Sequence, residues 1–184
     1  MSIKSVLFPL VFAGVASGAL AADAGPDATA QKAAIAKVSW LAGQWEGTAT
    51  TRGRDGESRA LSAETVRLAA GGTALMIQGK HYKLLADGSR GEVVHDTAAM
   101  LTFDPASGRY RFATQLQTGQ AGVFDGTVEG STFTWRLPLP GGHARYDIMR
   151  NDKGQWNELG FYCRDGAECV PIFRMALDRK GDAP

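Results

Sequence analysis

The chain has 184 residues, 44% of them hydrophobic, and a formal net charge of +1. That length suffices for one domain with a sizeable core. The near-neutral balance argues against a nucleic-acid partner, which selects a basic surplus or stripe.

Residues 1–21 read as a secretory signal peptide. Lys4 supplies a positive start, Val6 to Val15 an apolar stretch, and Ala19-Leu20-Ala21 a small-x-small cleavage site. The apolar run is short for a membrane span, and no cysteine near the cleavage point offers a lipid site. The expected product is therefore exported, to the periplasm or medium, without a stable membrane anchor. Residues 22–28 read as a flexible mature N-terminus and residues 29–180 as one domain. In an oxidising compartment, Cys163 and Cys169 favour a disulfide over a metal pair.

From Asp27, a plausible N-cap, an alanine-rich stretch from Ala28 to Leu41 carries Ala34, Ile35, Val38 and Leu41 at helical spacing, and Gly43 stops it. The hydrophobic period then changes to two. Strands are expected at about 44–52, 62–70, 73–84, 93–103, 109–117, 121–128, 131–138, 143–151, 155–163 and 169–178. No amphipathic run of helical length separates them, so parallel crossovers have nowhere to go. The fold class is all-β: an antiparallel up-and-down β-barrel of about ten strands with a short N-terminal helix.

The connections alternate. Gly71-Gly72, Asp104 to Gly108, Glu129-Gly130 and Asn151 to Gly154 have the chemistry of tight hairpins. Most of the others are longer: Arg52 to Leu61, Leu85 to Glu92, Thr118 to Gln120, Leu139 to Gly142, and Arg164 to Glu168. Alternate connections of a meander fall at opposite ends, which predicts a closed base and an open mouth. At the base, Gly43 lets the backbone turn closely and Trp45 plugs the barrel. In the last strand, Phe173, Met175 and Leu177 share the apolar parity that Arg179 continues. Pairing of the first and last strands then brings the Arg179 guanidinium near the Trp45 indole.

Gly43-Gln44-Trp45 resembles the G-x-W of the lipocalins and the wider calycin superfamily. The whole layout is similar to bacterial calycin-like proteins that open with W-L-x-G-x-W-x-G. The matching segments here are Trp40 to Gly47, Gly71 to Leu75, Asp104 to Tyr110, and the closing Arg179. The resemblance implies a barrel of eight to ten strands with a cavity for an apolar small molecule. Nitrobindin, a haem-binding relative, is a more distant likeness. Its G-x-W-x-G-x-G pattern is partly met by Gly43, Trp45 and Gly47, but residue 49 is alanine. The histidine that precedes its final L-x-R has no counterpart before Leu177-Asp178-Arg179.

The aromatic and sulfur residues on alternating positions predict a lined ligand pocket: Tyr110, Phe112, Phe133, Trp135, Tyr146, Phe161, Phe173 and Met175. His81 and His95 are each seven residues from Gly88, so a hairpin centred there sets them opposite one another. They would be ligands for a metal or haem, or rim residues with Asp96 as partner. No G-x-S-x-G elbow, P-loop, H-E-x-x-H or dinucleotide fingerprint occurs, and no catalytic residue is assigned. The expected function is binding of a small apolar or amphipathic molecule in the cell envelope, with no cofactor. One alternative is a haem- or metal-binding barrel using His81 and His95 as inward histidines near the mouth; another is a barrel filled by its own side chains that acts as an interaction module.

Overall fold

A computed structural model describes residues 28–53 and 55–183. Helix α1 (Ala28–Ala36) precedes ten strands: β1 (Gly43–Gly53), β2 (Gly56–Ala69), β3 (Ala74–Leu84), β4 (Arg90–Asp104), β5 (Arg109–Leu116), β6 (Ala121–Glu129), β7 (Thr132–Leu139), β8 (Gly142–Arg150), β9 (Trp156–Arg164) and β10 (Cys169–Gly181). Each strand pairs with its chain neighbours, and β1 pairs antiparallel with β10, so the sheet closes into an up-and-down barrel. Closure leaves no free strand edge. The signal segment, residues 1–21, and nearly all of the mature N-terminus lie outside the described residues. Among the described residues no helix is long and apolar enough to cross a membrane.

The helix is shorter than the alanine-rich run predicts. It ends at Ala36, where the Ser39 hydroxyl donates to the Ala36 carbonyl, and a 3-10 turn follows over Ser39–Leu41. A continuous helix would carry Trp40 and Leu41 away along its axis. The break folds them under the barrel instead. Ile35, Val38 and Leu41 are buried there. The indoles of Trp40, Trp45 and Trp156 meet edge to face, with centroids 6.0–6.4 Å apart.

The base is sealed by the Trp45–Arg179 pair. The two residues are opposite across β1 and β10, and the guanidinium carbon stands 6.0 Å from the indole centroid. Trp45 is buried and donates its indole N–H to the Leu41 carbonyl at 2.8 Å. Arg179 donates to the Ala42 carbonyl and to Asp182, each at 2.9 Å. Gly43 has φ +145°, and a Cβ there would lie 2.8 Å from Arg179 Nε and 2.9 Å from the Gly181 carbonyl. Its role is thus to let the guanidinium and the β10 backbone pass close by.

The mouth differs from expectation. The connection at Arg52 to Leu61 is a tight hairpin, with Gly53 paired to Gly56, and Leu139 pairs with Gly142 across another. The last residues of β1 and the first of β2 are exposed on both faces. Charged and small residues there read as loop, but a strand pair projecting beyond the barrel rim meets water on both sides and needs no alternation. At the same end, Cys163 and Cys169 are opposite one another at the β9–β10 hairpin and form a disulfide.

Candidate functional site

Inside the barrel lies a cavity of about 1380 Å³ that reaches from the base to the hairpins at the mouth. Ordinary ligand pockets span about 300–1,000 Å³, so side chains do not fill this barrel, and the filled-barrel alternative does not fit. The walls are aromatic. Trp135 and Tyr146 are paired across β7 and β8 and stack at 4.6 Å with planes 14° apart. Phe112 meets Trp135 edge-on at 5.0 Å. Gly160, opposite Tyr146, keeps the ring in place by lacking a side chain: a Cβ there would stand 2.8 Å from Tyr146 Cε1.

Of the eight residues predicted to line a pocket, Phe112, Phe133, Trp135, Tyr146, Phe173 and Met175 do so. Tyr110 and Phe161 do not. Tyr110 is buried at the base, where its hydroxyl donates to the Ala34 carbonyl at 2.7 Å and ties α1 to the barrel. Phe161 faces outward, beneath the Arg145 guanidinium, whose carbon is 4.7 Å from the ring centroid. The inward parity of β9 is that of Trp156, Glu158 and Tyr162. Asp96 is not the partner of the histidines; it is paired with Lys80 at 2.9 Å.

Two acids far apart in the sequence sit low in the cavity. Glu64 and Glu158 both line it, as do His81 and His95. Glu64, 7% exposed, is opposite Trp45 on β1 and Gly79 on β3. Its Oε1 is 3.2 Å from Nε2 of His81, itself 9% exposed. His81 is opposite His95 across β3 and β4, with ring centroids 5.1 Å apart. Burial pushes the Glu64 carboxyl up to about 8 and the His81 imidazole down to about 4. At neutral pH the pair therefore carries one proton and no net charge. Burial also lowers His95, with His81 adding to the effect and Asp96 opposing it.

Glu158 is half-buried and opens onto the lumen. Burial, with the charge of Glu64 second, pushes it up to about 8. The Trp156 indole N–H lowers it somewhat, but that donor is buried and makes no hydrogen bond of ordinary geometry. The signal in the sequence was parity: Glu64 stands two residues from Val66, and Glu158 two from Trp156, both buried.

Among the described residues, no group of three or more metal-ligating side chains converges. The two histidines alone would have to hold a haem or metal, and His81 Nε2 already faces Glu64. No protein-family model matches the chain, and no curated protein does. Solved structures similar to it do exist. Rv2717c from M. tuberculosis superposes with a TM-score of 0.59 at 15% identity, over 80% of this chain and 97% of that one. The S-type phycobiliprotein lyase CPES from Guillardia theta gives 0.57 at 8% identity, over 87% of this chain and 100% of that one. At such identities the likeness concerns the fold alone, and the closed ten-stranded barrel fits a lipocalin-like fold.

Proposed function

We propose that this chain is a binding protein for a small amphipathic molecule, working in the cell envelope. The observation that carries the reading is the aromatic cavity of about 1380 Å³ above a sealed base. Apolar surface of that kind gains free energy when a ligand displaces its water, and a few polar groups fix the ligand's orientation. Export is supported by the signal-like residues 1–21 and by the Cys163–Cys169 disulfide, which persists in an oxidising compartment. No partner beyond the ligand is needed, neither nucleic acid nor a membrane anchor.

Native mass spectrometry of the protein purified from its own host tests this directly, because a bound molecule adds mass. The fluorescent probe 1-anilinonaphthalene-8-sulfonate supplies a second readout. Binding should quench Trp135 and Trp156, which line the cavity, and Tyr146→Ala should weaken it. A protein that carries no adduct and gives no such quenching is not a small-molecule binder.

The second reading is a haem or metal held by His81 and His95. It is favoured by one observation, two uncharged imidazoles 5.1 Å apart in the lumen. A Soret band, or metal retained on purification and lost in His95→Ala, would decide for it.

A further inference from the structure

We propose that the seam between β6 and β7 is a lateral opening of the barrel for an amphiphile with a compact anionic head. The head seats on Arg136 and Arg109 outside the wall, and the apolar body passes into the lumen. This rests on the small-molecule reading above; it adds the charge of the ligand's head and the place where the head lies.

Every strand has two neighbours, but the ladder between β6 and β7 stops halfway. Gly126 to Glu129 pair with Thr132 to Trp135, and the pairing goes no further. Towards the mouth, Ala121 to Asp125 keep their partners on β5, and Arg136 to Leu139 keep theirs on β8. No rung joins these two sets to each other. A continued register would set Asp125 opposite Arg136, yet Asp125 is engaged with Arg111 on its other side. The residues of this half suit an edge. Pro138 has no N–H to give to a ladder, and Phe124 lays its ring over Gly122, where a Cβ would collide with it. Backbone N–H and C=O groups of both strands therefore face the seam without ladder partners, and they gain from a polar ligand or water.

The second observation is what lies on either side. Outside is a cleft of about 340 Å³ whose charged lining is Arg109, Arg111, Arg136 and Asp125. Arg111 is taken up by Asp125. Arg109 and Arg136 are exposed, and neither has an ion-pair or hydrogen-bond partner among the described residues. Arg145, opposite Arg136 on β8, is engaged with Asp147 and adds no acid to the cleft. Inside is the aromatic lumen. Phe124 and Pro138 line both spaces, so the seam is where the cleft and the lumen meet. Trp135, on the last rung, lines the lumen with its ring 5.4 Å from that of Phe124. Val123, 55% exposed, adds apolar surface to the outer lip.

A guanidinium fork matches a carboxylate, sulfonate or phosphate, and two forks without acids of their own favour an anion. A cationic head would be repelled there, and a neutral one would gain little. Both arginines are wet, so their attraction is screened by salt. The apolar body supplies most of the affinity, and the head decides where the molecule lies. The rival seat is Lys83 at the mouth, which lines the lumen and is 3.7 Å from Glu92.

The test uses two dyes with one body on the full mature chain: 1-anilinonaphthalene-8-sulfonate, and N-phenyl-1-naphthylamine, which lacks the sulfonate. In fluorescence titrations Arg136→Gln should weaken the sulfonate about fivefold or more while leaving the neutral dye within about twofold. Arg109→Gln should act in the same direction, and added salt should erode the difference. Stopped-flow association of the sulfonate should slow in both variants. Tyr146→Ala should weaken both dyes, because both bodies stand in the lumen. Lys83→Gln should leave both unchanged. If the double variant Arg109→Gln with Arg136→Gln binds the sulfonate as before, or if Lys83→Gln weakens it instead, the seam is not the seat; binding of the neutral dye then keeps the cavity reading. A sulfonate indifferent to Tyr146→Ala would lie wholly outside the wall, which also overturns the proposal. If neither dye binds, both readings fall.

Discussion

The carboxyl of Glu64 occupies the space that a side chain on Gly79 would fill. The residues are opposite across β2 and β3, and a Cβ on Gly79 would stand 2.6 Å from Glu64 Oε1 and 2.7 Å from Oε2. The absence of one side chain thus holds an acid against the barrel wall, where it meets His81. Gly79→Ala should push the flexible end of Glu64 aside and break the His81 contact. The expected signature is a change in the His81 ring shifts and their titration in NMR spectra, with a melting temperature altered by only a few degrees. Unchanged His81 resonances would show that the glycine does not position the acid.

Stability should fall as pH rises from about 6.5 to 8. Glu64 and Glu158 titrate near 4.5 when unfolded and near 8 when folded. Between those values the folded state holds protons the unfolded chain has released, so each acid's contribution is complete below pH 4.5 and gone above 8. His81 runs the other way: its value drops from 6.5 to about 4, so its contribution is complete above 6.5 and fades as pH falls towards 4. His95 shifts in the same direction as His81. Below 6.5 the histidines' slopes oppose those of the acids, and above it the acids act alone. Each group contributes up to about 1.4 kcal/mol per pH unit at full difference. Urea midpoints at pH 6, 7 and 8 measure the slope, and Glu64→Gln should roughly halve it. A slope identical in the variant would contradict the raised value.

The sequence showed the barrel but not the acids, for a physical reason. A closed meander announces itself by alternation and hairpin chemistry, and the Trp45–Arg179 seal followed from counting parity along one strand. A carboxylate on a strand, by contrast, looks the same whether it faces water or an enclosed lumen. In β9 the rule of apolar-inward misleads outright. The inward set holds Glu158 and Gly160, while the outward set holds Leu159 and Phe161, the latter covered by Arg145. A lumen lined in part by polar side chains reverses the pattern from which its residues would be read. The β1–β2 hairpin was obscured in another way: beyond the rim both faces are wet, so alternation vanishes although the strands continue.

Loss of the guanidinium at the base should be felt as stability. Arg179→Ala removes the hydrogen bond to the Ala42 carbonyl and the contact with the Trp45 face. A cost of about 1–2 kcal/mol is expected, since the group is partly exposed. Gly43→Ala should cost more, about 2–3 kcal/mol. A Cβ at φ +145° is strained and meets backbone, the Gly181 carbonyl, as well as Arg179. Denaturant unfolding followed by Trp45 fluorescence reads both, and a neutral Gly43→Ala would mean that the base does not need the close approach.

The disulfide makes a local contribution that can be separated from the fold. Cys163 and Cys169 are six residues apart and sit at the mouth, far from the tryptophan cluster of the base. A loop so short removes little entropy from the unfolded chain, roughly 2 kcal/mol on the loop-closure estimate. The double variant Cys163→Ala with Cys169→Ala should therefore lose about that much in urea unfolding, yet keep its far-UV circular dichroism. The base contacts of Trp45 do not pass through the hairpin, so the tryptophan emission maximum should also hold. Collapse of the barrel on reduction would mean that the β9–β10 register depends on the bond rather than on the ladder between the two strands.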